Sequence, residues 1–230
     1  MATSGTSQFS LPFDELIEQA SLLVGGEATL GTEARTLRRA LNLLFIDMQN
    51  RGILLHSLEQ GLTSLVSGVT SINCASSTID LVDMVARVYS GTNYTDFPMQ
   101  RKSFDEWLEI PIKTQTGPRP YWYWVDRKTD GPVIHIWPTP VSPAATIVYW
   151  RVRFLQSASK LADDPDFPRR FFPALVSGLA YNFALQRGMA FPMDRLNMLK
   201  ANYEEQLMHA FGEDRERVNL RIVPKVYRNR

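Results

Sequence analysis

Apolar residues first recur with a helical period in LPFDELIEQASLLVGG, where Phe13, Leu16, Ile17, Ala20 and Leu23 fall on one face and Gly25-Gly26 stops the run. TEARTLRRALNLLFIDMQNRG predicts a second helix, with Thr32 as N-cap, a stripe of Leu37, Leu41, Leu44 and Met48, and Gly52 as the stop. The two read as a helical hairpin. The period then changes. From Leu54 to Tyr89 the chain is rich in Ser, Thr, Val, Ile and Gly with short alternations, which predicts strands and loops. SFDEWLEI (103–110) predicts a short helix capped by Ser103, with Trp107 and Leu108 inward. RPYWYWVDRKTDGPVIHIWPTP reads as two strands joined at DRKTDG, and ATIVYWRVRF (145–154) as a third, together an antiparallel meander.

Helical period returns after ADDPDFP, where Asp164 or Asp166 can cap and prolines sit near the first turn. Phe171, Leu175, Leu179 and Phe183 line one face, with Val176 and Ala180 beside them and Gly188 as the stop. A last helix sets Leu196, Leu199, Tyr203, Leu207 and Ala210 on a stripe, ended by Gly212. The fold class is therefore α+β: an antiparallel helical bundle interrupted by a β-rich insertion, with an extended C-terminal arm. The expected divisions are 1–53, a helical hairpin; 54–158, the β-rich insertion; 159–214, the helical pair that completes the bundle; and 215–230, the arm.

Composition leaves this picture in place. The chain is 44% hydrophobic and 21% charged over 230 residues, enough to bury a sizeable core. MATSGTSQF has neither a basic nor an apolar region of the kind that begins a signal peptide, so none is expected. The longest charge-free apolar stretch, FFPALVSGLAYNFAL (171–185), is too short to span a membrane and predicts a buried helix. Cys74 is the only cysteine, which excludes an intrachain disulfide and a cysteine-held zinc.

Charge changes the picture at one end. RERVNLRIVPKVYRNR (215–230) carries six cations against the single acid Glu216, a net +5 in a chain whose total is +1, so the first 214 residues stand at −4. Such asymmetry marks an interaction arm. Val218, Leu220, Ile222 and Val226 alternate along it with Pro224 among them, a pattern suited to an added edge strand.

Catalytic and metal chemistry find little support. His56, His135 and His209 share no recognisable spacing with another titratable group. Ser157 and Lys160 match S-x-x-K, but the companion elements of that enzyme class are absent. The three carboxylates of DDPD (163–166) lack the Gly and distal Glu of a calcium loop and read as helix capping. No catalytic residue, metal ligand or cofactor is assigned. YWYW (121–124) puts Tyr121 and Tyr123 on one face of a strand and Trp122 and Trp124 on the other, so the strand is expected to be covered on both sides. Arg151 and Arg153 share a face of the next strand and are the candidates for a charged lining, with a solvated edge equally consistent. A nucleic-acid-binding module, with the arm on phosphates and Trp122 or Trp124 stacking on bases, is the competing reading; the negative body argues against it.

FDELIEQASLLVG, ARTLRRALNLLFIDMQNRGILLHSLEQG, IHIWPTP and FPRRFFPALVSGLAYNFALQRG, followed by a basic extended end, resemble the head-to-tail adaptor proteins of short-tailed phages. The most specific parts are the helix from Ala34 to Gly52, with Ala-Arg-x-x-x-Arg-x-Leu-Asn and Asn-Arg-Gly, and the Ala-Leu-x-x-Gly-Leu-Ala-Tyr helix from Ala174 to Tyr181. The resemblance implies a structural virion protein without catalysis. Twelve copies would form a ring beneath the portal protein at one capsid vertex, assembled in the host cytoplasm. Genomic DNA would pass through its channel, tail nozzle or tail fibre proteins would lie on the far side, and no membrane would be involved. The arm would run onto the portal, with Arg217, Val218, Leu220, Arg221, Ile222, Val223, Lys225, Val226, Tyr227 and Arg228 as portal-binding residues.

Overall fold

The computed structural model describes residues 9–26, 31–52, 54–141, 145–188 and 191–215. Two helices come first, α1 (Phe13–Val24) and α2 (Gly31–Arg51). Four strands follow, β1 (Leu58–Ser64), β2 (Ser71–Asn73), β3 (Thr78–Ser90) and β4 (Asn93–Pro98), then β5 (Gln100–Arg101), α3 (Phe104–Leu108) and β6 (Thr116–Gly117). β7 (Trp122–Asp126), β8 (Val133–Trp137), β9 (Thr139–Pro140) and β10 (Ala145–Arg153) complete the strands, and α4 (Phe172–Gln186) and α5 (Met193–Glu213) close the order. The class is α+β. The chain divides into two compact units, Met1–Leu44 with Ala158–Arg230, and Phe45–Ser157. The first division falls inside α2, whereas the sequence places it after residue 53.

In the helical unit α4 is the central element, and both α1 and α5 pack against it. Its composition explains that place: Phe172, Ala174, Leu175, Gly178, Leu179, Ala180, Phe183 and Ala184 are all buried, leaving little surface to face water. The α1 stripe is Phe13, Leu16, Ile17, Ala20 and Val24, so Val24 takes the inward place expected of Leu23, which is 41% exposed. Leu37, Leu41 and Leu44 of α2 are buried as their spacing requires, each stabilising the fold by about 1.5–3 kcal/mol. α5 contributes Leu199, Tyr203, Leu207 and Ala210.

The caps differ from expectation. α2 begins at Gly31, which places Thr32 inside its first turn. Asp164 and Asp166 do not cap α4, which is entered through a 3-10 turn, Arg169–Phe171, with Pro168 at its N-cap and no side-chain cap. The DDPD segment serves α1 instead. Pro12, the N-cap of α1, has no side-chain acceptor, and the carbonyls of Asp163 and Leu161 take the N–H groups of Phe13 and Asp14 at 3.1 and 3.0 Å. Asp164 accepts from the Ser10 hydroxyl. Gly25, at φ +80°, ends α1 in the left-handed conformation that suits glycine. α5 runs one residue past Gly212 to Glu213.

The Phe45–Ser157 unit is built on two four-stranded sheets, ordered β1-β10-β3-β4 and β2-β8-β7-β5, with β6 and β9 forming a separate parallel pair. The first sheet is antiparallel throughout; in the second, β5 joins β7 in parallel. β7 and β8 form the expected antiparallel pair, but the third strand of the expected meander lies elsewhere. β8 is already flanked by β7 and β2, so β10 has no place beside it. With Ile147, Val148 and Tyr149 buried on alternate faces, β10 sits instead in the middle of the first sheet, between β1 and β3. The facing sides of the two sheets share one core that includes Leu81, Met84 and Ala86 of β3, Tyr123 and Val125 of β7, Ile134 and Ile136 of β8, and Ile147 and Tyr149 of β10.

Candidate functional site

The aromatic strand shows how sequence alternation becomes a three-layer arrangement. Tyr123, 1% exposed, points between the two sheets, and burial pushes its phenol up from the ordinary value. Trp122 and Trp124 point the other way, towards α3, and are half-buried against Trp107, Ile110 and Trp137. Pairing across β7 and β8 sets Trp122 opposite Trp137, rings stacked at 4.7 Å, and Trp124 opposite His135, stacked at 5.0 Å. Tyr121 precedes the strand and is exposed, so one face of YWYW is only partly covered.

α3 is held over this layer by local chemistry. The Ser103 hydroxyl accepts from the Glu106 N–H at 3.3 Å, and Glu106 accepts from the Ser103 N–H at 2.9 Å. That hydrogen bond lowers the Glu106 carboxyl below its ordinary value, with Lys102 adding to it. Trp107 turns inward, but Leu108 is 54% exposed, because five residues make little more than one turn and only one side can meet the sheet. Phe104 and Leu108 leave an apolar surface beside Trp124, whose ring lies 5.5 Å from that of Phe104.

Arg151 and Arg153 share one internal carboxylate. Both guanidinium groups hold Glu59 of β1, Arg151 at 2.8 Å and Arg153 at 2.7 Å, and Arg151 also donates to the Thr78 hydroxyl at 2.9 Å. Their side chains are mostly buried. They tie β1, β10 and the start of β3 together, and a charged lining is not the use the fold makes of them.

The histidines are dispersed through the fold. His209 on α5 is exposed, and His135 lies in the tryptophan layer, where burial lowers its pKa. Ser157 and Lys160 are exposed. Burial pushes the Cys74 thiol up to about 11, which keeps it protonated at neutral pH. Among the described residues no group of three His, Cys, Asp or Glu side chains is placed to hold a metal ion, and no helix is long and apolar enough to cross a membrane.

The portal-binding residues expected between Arg217 and Arg228 lie outside the described residues. Their point of departure lies within them. Asp214 follows α5, its N–H bonded to the Ala210 carbonyl at 3.0 Å and its buried carboxylate paired with Arg170. Phe211 stacks edge-on against Phe171, 5.8 Å away. A basic arm that continues from Arg215 therefore starts from a fixed root. The sequence offers no signal for this anchor, since Arg170 and Asp214 stand 44 positions apart.

The helical unit also carries an open groove of about 700 Å³ over α4, with Gln19 and Leu23 on one wall, Asn202 and Gln206 on the other, and Val176 and Ser177 in its floor. Leu23 lines it because that side chain is turned out of the α1 stripe.

Compared with known families, residues 9–225 match the family model described as SU10 adaptor protein. No curated protein matches the chain.

Proposed function

The chain belongs to the SU10 adaptor protein family, the head-to-tail adaptors of tailed phages, and from that premise we propose that its copies form a ring beneath the portal, with residues 215–230 of each docked onto the portal. The family is one of structural virion proteins at the junction of portal and tail. Genomic DNA passes through the ring, and tail proteins meet its far side. The observation that carries this reading is the extent of the family match, which takes in the helical unit, the β unit and the arm as far as residue 225.

Three features support the docking element. The arm concentrates a net +5 on sixteen residues. Its apolar residues alternate as an added strand requires. Its root is fixed by the Arg170–Asp214 pair. Copies repeated around a ring turn individually weak arm contacts into firm attachment.

Native mass measurement with and without portal rings tests the reading. The isolated chain is expected as a monomer or loose oligomer, and a closed ring only in the presence of portal. A closed ring formed without portal would remove the templating step. Failure to associate with portal at all would overturn the function.

A further inference from the structure

We propose that the β1-β10-β3-β4 sheet of one copy continues into the next, the free edge of β1 pairing antiparallel with the free edge of β4 in a neighbouring copy. This rests on the reading of the protein as a ring-forming adaptor and names the joint between its copies.

The hydrogen-bond phase of β1 identifies the open groups. Leu65 donates to the Ala145 carbonyl at 3.0 Å, and the register runs unbroken to Leu58 opposite Val152. In an antiparallel ladder the bonded pairs alternate, so Thr63, Gly61 and Glu59 turn their backbone groups to β10. Gln60, Leu62 and Ser64 turn theirs outward, and among the described residues these have no backbone partner. The same reasoning applies to β4. Met99 donates to Met84 at 3.0 Å, which leaves Tyr94, Asp96 and Pro98 facing outward.

The two edges fit each other in direction and length. Four strands alternate in direction across the sheet, so β1 and β4 run oppositely, and repeating the sheet side by side sets β1 antiparallel to the next β4. Placing Leu62 opposite Tyr94 also pairs Gln60 with Asp96 and brings Leu58 opposite Pro98. There both strands run out together: the Leu58 N–H is already bonded to the Leu55 carbonyl, and proline has none to give. Leu62 and Tyr94, 60% and 55% exposed on the same face of the sheet, would cover each other.

β1 also lacks the devices that keep an edge from pairing. It has no proline or lysine, and its one acid, Glu59, is held by Arg151 and Arg153. In the other sheet the edge strands β2 and β5 have three and two residues, too few for such a joint. A contact between two different edges is head-to-tail, and its repetition closes into a ring when the rotation from copy to copy completes a circle, as the adaptor ring requires.

Thiol cross-linking of portal-assembled protein tests the joint in a Cys74→Ser background. Leu62→Cys with Tyr94→Cys is expected to give a ladder of multimers under denaturing conditions, and either cysteine alone only monomer. Leu62→Lys is expected to keep the melting temperature and lose the ring. Dimers from Leu62→Cys alone would mean β1 meeting β1 and would overturn the proposal. So would cross-linking of Leu62→Cys to Leu220→Cys in place of Tyr94→Cys, which would give the edge to a neighbour's arm. A ring confirmed by native mass without the Leu62–Tyr94 cross-link would remove this joint and leave the adaptor ring standing. No ring from the unmodified protein on portal would remove both.

Discussion

Gly178 of α4 lies directly beneath the ring of Tyr203 in α5: a Cβ built at 178 would stand 2.8 Å from Cε2 of the tyrosine and 3.0 Å from Cδ1 of Leu44. The absence of a side chain allows α4 to approach two neighbours at once. Gly178→Ala is therefore expected to destabilise the protein by about 1–3 kcal/mol, read as a lower denaturant midpoint. Tyr203→Phe should not relieve it, since the contact is with ring carbons. Relief by Tyr203→Phe would show that the hydroxyl, not the close approach, sets the cost.

The tryptophan layer predicts a graded series. Trp107→Ala removes a buried side chain and is expected to cost about 3–5 kcal/mol. Trp122→Ala and Trp124→Ala, half-buried, should cost less, about 1–3 kcal/mol. Trp150→Ala, 46% exposed on the face it shares with the buried Val148 and Val152, should cost least, about 1 kcal/mol or less. Equal effects at Trp107 and Trp150 in chemical denaturation would contradict the burial order.

His135 supplies a pH dependence. Burial lowers its folded-state pKa, with Lys128 acting in the same direction and Asp126 against it. The folded protein thus binds a proton there less readily than the unfolded chain. Its contribution is intact above the unfolded value of ~6.5 and is lost as pH falls through the folded value. Melting temperatures measured from pH 7 downward should fall less steeply in His135→Phe, which keeps a ring beside Trp124. An unchanged slope would assign the acid sensitivity to other groups, among them Asp96 and Glu106, whose lowered pKa values act in the same sense at more acidic pH.

Deletion of residues 215–230 is expected to leave a folded protein that no longer assembles on portal rings. Arg221→Glu should produce a partial loss that is largest at low salt and shrinks as salt is added, because a rim charge contributes only ~0–1 kcal/mol and is screened. Co-sedimentation with portal is the measurement. A truncated protein that co-sediments as well as the full chain would show that docking lies elsewhere.

Local sequence patterns determine much of the protein by themselves. The Leu37, Leu41, Leu44 stripe, the charge-free α4, the Ser103 cap and the opposed faces of YWYW depend on residues within a few positions of one another. Helix and strand periods therefore reveal them directly. The helix with Gly178 and the Asn-Arg-Gly turn carry the family resemblance for the same reason. Tertiary structure alone decides what each face meets. Nothing near β10 in the chain specifies β1 and β3 as its neighbours; that follows from β2 and β7 already occupying both sides of β8. Arg151 and Arg153 read as a free charged pair along the chain, yet strand register sets Glu59, more than ninety positions away, between them. DDPD reads as a cap for the helix that follows it, yet the Asp163 carbonyl, with that of Leu161 just before the segment, satisfies α1, whose own cap is a proline. Periodicity tells which side of an element is apolar, and packing among distant elements decides which neighbour covers it.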